Sequence, residues 1–103
     1  MLKVDLVITR HGGLIDFLVN RGLDLSLTEV VAHVTDPSIL VGKTVVGVLP
    51  THLAVLCETF VEVRLDIPAE MRGKELSAEQ TEEYCKGIFA YHFGRNFIEI
   101  ETL

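Results

Sequence analysis

Two short apolar runs, the first followed at once by a helical pattern, limit the possible folds more than any other feature. Val4–Thr9 (VDLVIT) and Thr44–Leu49 (TVVGVL) are nearly all apolar and rich in β-branched residues, as strands covered on both faces are. After Gly12-Gly13, apolar residues recur with helical spacing until Arg21-Gly22 supplies a stop. The pattern predicts a strand that leads directly into a helix.

The remaining segments continue this alternation. Glu29–Val34 and Phe97–Glu101 are predicted as strands, and Phe60–Ile67, where apolar and charged residues alternate, as a strand nearer the sheet edge. Thr51 is placed to cap a short buried helix, and a near capping box at Ser77 opens a helix predicted to run to about Phe93. We therefore expect one α/β domain over all 103 residues, with a mostly parallel sheet and helices on its faces.

The composition excludes two broad functions. A net charge of −6 and a pI near 5.1 argue against coating long nucleic acid, which needs a basic surface. No leader pattern opens the sequence and no apolar run approaches ~18 residues, so we expect a cytoplasmic protein without a membrane partner. Cys57 and Cys85 lack partners at metal-ligand spacing and are expected to be buried free thiols.

The first predicted strand ends in the strongest candidate site. Ligands of such sheets collect outside the carboxyl ends of the strands, and there Thr9 is followed by Arg10, His11 and Gly12-Gly13. Amides at a helix start attract phosphate, an arginine can add a bidentate contact, and a histidine exchanges protons near neutral pH. The alternative is a surface arginine, a histidine cap and a tight turn, and the residue types alone do not decide between them.

The next strand end repeats the arrangement in a weaker form. Leu49-Pro50 precedes Thr51, which is more simply a helix cap than a ligand contact, and His52. His52 could bond to a sugar or a base, or could be a solvated residue at a helix start.

A third loop, Met71–Leu76, carries Arg72, Lys74 and Glu75. It is either a solvated loop or a lid that brings two cations over a bound phosphate, with Glu75 reaching a sugar hydroxyl.

The other two histidines suggest structural roles. His33 is expected to be a satisfied core or strand-end histidine, and His92 a cap at a helix end. No histidine pair shares a spacing with a carboxylate that would build a zinc site, so no metal and no cofactor are expected.

Two resemblances to known families follow from these residues. Arg10-His11-Gly12 resembles the start of the histidine phosphatases, whose histidine becomes phosphorylated. Only about four residues agree, Gly13 replaces the usual Glu or Gln, and His92-Phe93-Gly94 is a poor second histidine motif because it is predicted to end a helix.

The second resemblance covers most of the chain. Four blocks of the chain occur in order: Val7–His11 with Val31–His33, Gly47–Ala54, Leu65–Pro68 and Arg72–Ser77. In these blocks the chain resembles a small CRISPR-associated family of single-domain CARF-type proteins, which is found beside type III systems. The chain departs from that family at Gly12-Gly13, which replaces a proline and a glycine, and at His52, which replaces an asparagine and is therefore treated only as pocket lining.

The resemblance implies a three-layer Rossmann-like fold, a homodimer and binding of a cyclic oligoadenylate, such as cyclic tetra-adenylate, across the two-fold axis. Several relatives are ring nucleases, in which a ribose 2′-hydroxyl attacks its adjacent phosphate without a metal. Arg10, with Arg72 or Lys74, would stabilise the phosphorane, and His11 would transfer a proton. Further ligand contacts would come from other residues of the three loops: Thr9, the amides of Gly12, Gly13 and Thr51, the Leu49-Pro50 turn, His52 and Glu75.

Three functions compete at this point. The first is a ring nuclease, the second a non-catalytic sensor or sponge for the same messenger, and the third a phosphatase of the RHG type. The first two use the same binding residues and differ only in turnover.

Overall fold

The computed structural model of the chain describes residues 2–94 and 97–103. Its strands are β1 (Leu6–Ile8), β2 (Glu29–Val31), β3 (Thr44–Val46), β4 (Thr59–Leu65), β5 (Cys85–Phe93) and β6 (Ile98–Thr102). Its α-helices are α1 (Gly12–Asn20), α2 (Thr51–Ala54) and α3 (Ala78–Tyr84), and two 3-10 turns cover Pro37–Leu40 and Ala69–Met71. The strands form one sheet in the order β2-β1-β3-β4-β5-β6.

One half of the sheet is parallel. Strand β1 pairs in parallel with β2 on one side and with β3 on the other, and β3 pairs in parallel with β4. The chain thus moves outward in opposite directions from β1, which places a reversal of strand order between β1 and β3. The α/β class and the helix after Gly12 are confirmed.

The other half corrects the expectation of a mostly parallel sheet. Strand β5 runs antiparallel to β4 and β6 antiparallel to β5, so the sheet is mixed, and β4 is an internal strand and not an edge strand. The helix predicted over Ser77–Phe93 is wrong beyond Tyr84. Alternate residues Ile88 and Ala90 are buried there, because this segment fills the place beside β4.

Both faces of the sheet are covered around β1, β3 and β4, and the strands there are shorter than predicted. Helix α1 packs on one face, where Phe17 and Leu18 join Val7, Val46 and Val61 in one core cluster. A second cluster lies on the other face and includes Leu6, Leu40, Val45, Ala54, Cys57 and Phe60.

Helix α3 begins where the sequence indicated. Ser77 accepts a hydrogen bond from the backbone N–H of Gln80, and the Gln80 side chain accepts one from the backbone N–H of Ser77, so the capping box is complete. The α1–α3 contact is closed at its other end by Arg21, which donates to both carboxylate oxygens of Glu82 at 2.9 and 2.7 Å. Helix α3 is thereby fixed against α1.

The two thiols are free, but only Cys57 is buried; Cys85 is partly exposed. Burial raises the pKa of the Cys57 thiol. Within residues 2–94 and 97–103, no helix combines the length and apolarity that crossing a membrane requires.

Candidate functional site

A cavity of about 420 Å³ opens at the carboxyl ends of β1 and β3, where the strand order reverses. Open α/β sheets bind their ligands at this position, and the volume falls in the range of small-molecule pockets. The strands β1, β3 and β4 contribute apolar side chains to its wall, among them Ile8, Val46, Val63 and Leu65. The cavity is therefore an apolar recess at the edge that the sequence nominated.

Polar residues are concentrated at the rim, where β1 turns into α1. Thr9, Arg10 and His11 line the cavity, and Arg10 and His11 are exposed. The Thr9 hydroxyl accepts a hydrogen bond from the His11 backbone N–H at 3.0 Å, which turns the chain and leaves His11 as the N-cap of α1 in an extended conformation. The predicted loop thus presents a cation and an imidazole side by side.

The two glycines of this loop have different roles. A Cβ on Gly12 would meet nothing within 4 Å, whereas a Cβ on Gly13 would lie 2.1 Å from the Leu76 carbonyl oxygen. Gly13 is needed because α1 and the chain entering α3 approach so closely. Amides in the first turn of a helix have no intrahelical acceptor, so the Gly12 amide could donate to a phosphate. That contact stays a prediction.

The loop 67–75 roofs the cavity. Ile67, Met71, Gly73 and Lys74 line it. The backbone hydrogen bonds that this loop donates stay within it, from Met71 to Pro68, from Arg72 to Ala69 and from Lys74 to Met71. The loop is therefore a self-contained cap that contributes both apolar side chains and Lys74 to the cavity lining.

The predicted residues of this loop separate into three positions. Lys74 reaches the cavity rim, Arg72 is exposed between two lining residues, and Glu75 instead lines a shallow neighbouring cleft with Gly13 and Ser77. The two cations of the loop are near the cavity, and its carboxylate is not on the cavity wall.

The second predicted cradle does not reach the cavity wall. Val46, Gly47 and Val48 line the recess, and Leu49–His52 lie one step beyond them. Pro50, not Thr51, is the N-cap of α2, and no side chain caps this helix. A ligand role for Leu49, Pro50, Thr51 or His52 would require a ligand that extends past the rim.

The remaining histidines lie elsewhere. His92 is in β5 and not at a helix end: its Nδ1 is 3.0 Å from the Thr59 hydroxyl and its Nε2 is 3.0 Å from Glu101. His33 is exposed just after β2 and is not a core residue. Neither lines the cavity, so the structure does not bring a second histidine to His11. In the described part of the chain, no three His, Cys, Asp or Glu side chains cluster as metal ligands would.

The rim charge is open to an anion. In the described ranges, ion pairs join Arg21 to Glu82 and Arg64 to Glu62, and His92 lies 3.0 Å from Glu101. None of these contacts involves Arg10, Arg72 or Lys74. The described residues that line the cavity include no carboxylate. An overall acidic chain thus carries a local cationic rim over an apolar recess, a combination that suits a ligand with both an anionic and an uncharged part.

Sequence reasoning missed much of the cavity wall. Val63, Leu65, Ile67 and Thr81 come from β4, the following loop and α3, and their apolar or hydroxyl side chains indicate no chemistry. Leu65 and Ile67 lie in a block shared with the CRISPR-associated family, but the resemblance assigned them no site role. Only the alternation within β4 could have indicated which of its residues share the cavity side.

Comparisons with known proteins add one finding. Residues 6–93 match the model of the family Cas_VVA1548, described as "Putative CRISPR-associated protein". Searches among curated proteins and among solved structures gave no match. The matched segment contains the strands β1–β5 and the whole described cavity wall. The chain therefore belongs to the Cas_VVA1548 family of CRISPR-associated proteins.

Proposed function

We propose that the chain is a ring nuclease that binds and cleaves a cyclic oligoadenylate, the second messenger of type III CRISPR systems. The observation that carries the proposal is the cavity at the strand reversal, rimmed by Arg10 and Lys74, which have no ion pair among the described residues. Membership in a CRISPR-associated family supports it. The described cavity wall also has no carboxylate, so no negative charge there would repel a phosphodiester.

The proposed reaction needs no second substrate. A ribose 2′-oxygen attacks the adjacent phosphorus, the bond from phosphorus to the 5′-oxygen breaks, and the products are a 2′,3′-cyclic phosphate and a 5′-hydroxyl. One proton leaves the 2′-hydroxyl and one reaches the departing 5′-oxygen. His11 performs one of these transfers, and Arg10 stabilises the charge on the phosphorane oxygens. Holding the 2′-oxygen in line with the leaving oxygen supplies the rest of the rate.

A non-catalytic sensor of the same messenger is the second candidate. The described contacts of His11 involve its backbone and include no partner for its imidazole. Active-site bases are usually oriented by a third group, so an unsupported imidazole also suits a site that binds without turnover.

Turnover separates the two candidates. Purified protein in EDTA is incubated with labelled cyclic tetra-adenylate, and the proposal predicts linear products ending in a 2′,3′-cyclic phosphate. Ligand that stays intact and elutes with the protein would establish the sensor. Intact ligand that does not bind would overturn both.

Two substitutions assign the roles. His11→Ala should slow cleavage by ~100-fold or more and leave binding nearly unchanged, because a lost proton transfer affects the transition state. Arg72→Ala should weaken binding and slow cleavage only mildly. Lys43→Ala is the matched control, since Lys43 is exposed at the opposite end of β3. Cleavage by His11→Ala at the parental rate would show that His11 is not the proton-transfer group.

A further inference from the structure

The outer edge of β6 is unpaired in the described structure, and the strand is more exposed than the rest of the sheet. All five residues of β6 are exposed, and β6 is hydrogen-bonded only to β5. The family match ends at Phe93, so β6 lies outside the matched segment and away from the cavity. An open edge of this kind offers backbone groups to another strand.

The hydrogen-bond pattern identifies which groups are offered. Phe97 accepts from the Gly94 backbone N–H and Leu103 donates to the Ile88 carbonyl, both at 2.8 Å. Antiparallel strands alternate between residues that bond to one neighbour and residues that face the other side. Since residues 97 and 103 face β5, the N–H and C=O groups of Ile98, Ile100 and Thr102 face outward.

The side chains on the two faces of β6 have opposite character. Ile98 and Ile100 are 58% and 60% exposed and lie opposite Phe93 and Tyr91, which extends an apolar face. Glu99 and Glu101 point to the other face, where Glu101 is 3.0 Å from His92. A strand that pairs here needs apolar residues at alternate positions and positive charge between them.

A second copy of the chain does not meet this requirement. Two copies related by a two-fold axis pair their β6 strands antiparallel with the same face upward, so odd-numbered residues oppose odd-numbered residues in every register. In the registers that pair most of β6, which are centred on Glu99, Ile100 or Glu101, a glutamate then meets a glutamate of the partner copy, and like charges directly opposite are destabilising.

From this we infer that the β6 edge is a docking site for an extended segment of another protein, in which apolar residues alternate with Lys or Arg. The segment adds a seventh strand to the sheet. Its backbone bonds to Ile98, Ile100 and Thr102, and its basic side chains face Glu99 and Glu101.

Three blocked peptides test the inference by NMR titration of the labelled protein: TVKVKVT, its acidic counterpart TVEVEVT, and the scrambled KKVVTTV. The first should bind at least ~tenfold more tightly than the others and shift the amides of Ile98, Ile100 and Thr102. Equal binding of the scrambled peptide would reduce the effect to net charge and overturn the inference. Absence of binding by all three, or self-association of the protein through β6, would also overturn it.

Two variants localise the interaction. Ile100→Pro removes one outward N–H, which a sheet edge tolerates because that group makes no ladder bond, and should abolish TVKVKVT binding, whereas Ile100→Val should preserve it. Glu99→Lys should reduce the preference for TVKVKVT over TVEVEVT by ~tenfold. This second variant tests the inference even if proline at position 100 disturbs β6. Ring cleavage should be unaffected in all three variants, so the result stands apart from the proposed function.

Discussion

Gly12 and Gly13 are adjacent and identical in the sequence, yet neighbouring atoms constrain only one of them. The carbonyl of Leu76 occupies the place that a Cβ on Gly13 would take, and the Ser77 carbonyl carbon lies 2.8 Å from the same position. Both neighbours are backbone atoms, so they cannot rotate away as a flexible side chain would. The contact between α1 and the start of α3 therefore requires a glycine at position 13, whereas no such contact constrains Gly12.

This contrast gives a stability prediction. Gly13→Ala should lower the free energy of unfolding by about 2 kcal/mol, the order expected for forcing a methyl group into a packed contact. Gly12→Ala should leave it unchanged or slightly raised, because alanine favours a helix and Gly12 has open space. Urea unfolding of the two variants compares them directly. Equal stabilities would show that α1 and the start of α3 are farther apart than described.

The candidate site could be predicted at its rim and not at its wall. Thr9, Arg10, His11 and Lys74 carry chemistry and lie in loops that the parallel strands bring to one edge, so pattern and topology together found them. The prediction for Leu49–His52 rested on the same rule, but β3 ends at Val46, and Gly47 and Val48 line the cavity instead. How many residues after a strand still line a cavity depends on packing, which local sequence does not encode.

At the scale of elements, the junction between α3 and β5 shows where local pattern stops being sufficient. The capping box at Ser77 fixed the start of α3 because its two hydrogen bonds are local. Its end was not predictable in this way: Cys85–Phe93 becomes a strand through seven residue pairs with β4, which are distant in sequence. Helix-compatible spacing was overridden by a tertiary contact.

The ion pair between α1 and α3 gives a pH prediction. The hydrogen bond from Arg21 lowers the pKa of Glu82 below its usual value. A lowered folded-state pKa contributes stability above the unfolded-state pKa and loses it as the pH falls through the folded-state value. Glu82→Gln should therefore be slightly less stable than the parent at pH 7, and the difference should vanish in the acidic range below the usual titration of glutamate.

The size of this effect is small because solvent reaches both side chains, which are 35% exposed for Arg21 and 53% for Glu82. Thermal unfolding from pH 7 to pH 3 measures the difference between the two proteins. Glu83→Gln is the control, since Glu83 is exposed on the same helix and forms no ion pair within the described ranges. A difference for Glu82→Gln that persists at pH 3 would mean that the lost carboxylate acts through packing.

At the scale of the whole molecule, the two proposed binding surfaces carry groups of opposite charge. The chain has a net charge of −6, yet the exposed cations Arg10, Arg72 and Lys74 gather around one cavity, while the far edge carries Glu99 and Glu101. The proposed anionic messenger and the proposed basic strand would thus bind at separate places, and each would be repelled from the other's site.

The last prediction concerns assembly at the cavity mouth. Val48 lines the cavity and is 92% exposed, so it is an apolar side chain that a partner copy could cover. A two-fold axis near Val48 would bury it against its copy and bring two cationic rims together. The repulsion between those rims would fall when a cyclic oligoadenylate with several phosphates lies between them. We therefore expect ligand to raise the fraction of dimer relative to single chains of 11.5 kDa, most strongly at low salt.

Light scattering with and without cyclic tetra-adenylate measures this shift. Val48→Asp should weaken both ligand-induced dimerisation and ring binding. It places a negative charge at the expected contact between the two copies and at the cavity mouth, where the phosphates of the ring would lie. Val30→Asp is the matched control: Val30 is 51% exposed on the edge strand β2, and it does not line the cavity. A protein that stays monomeric while it binds and cleaves the ring would contradict the shared site, since one cavity of about 420 Å³ would then suffice for the whole reaction.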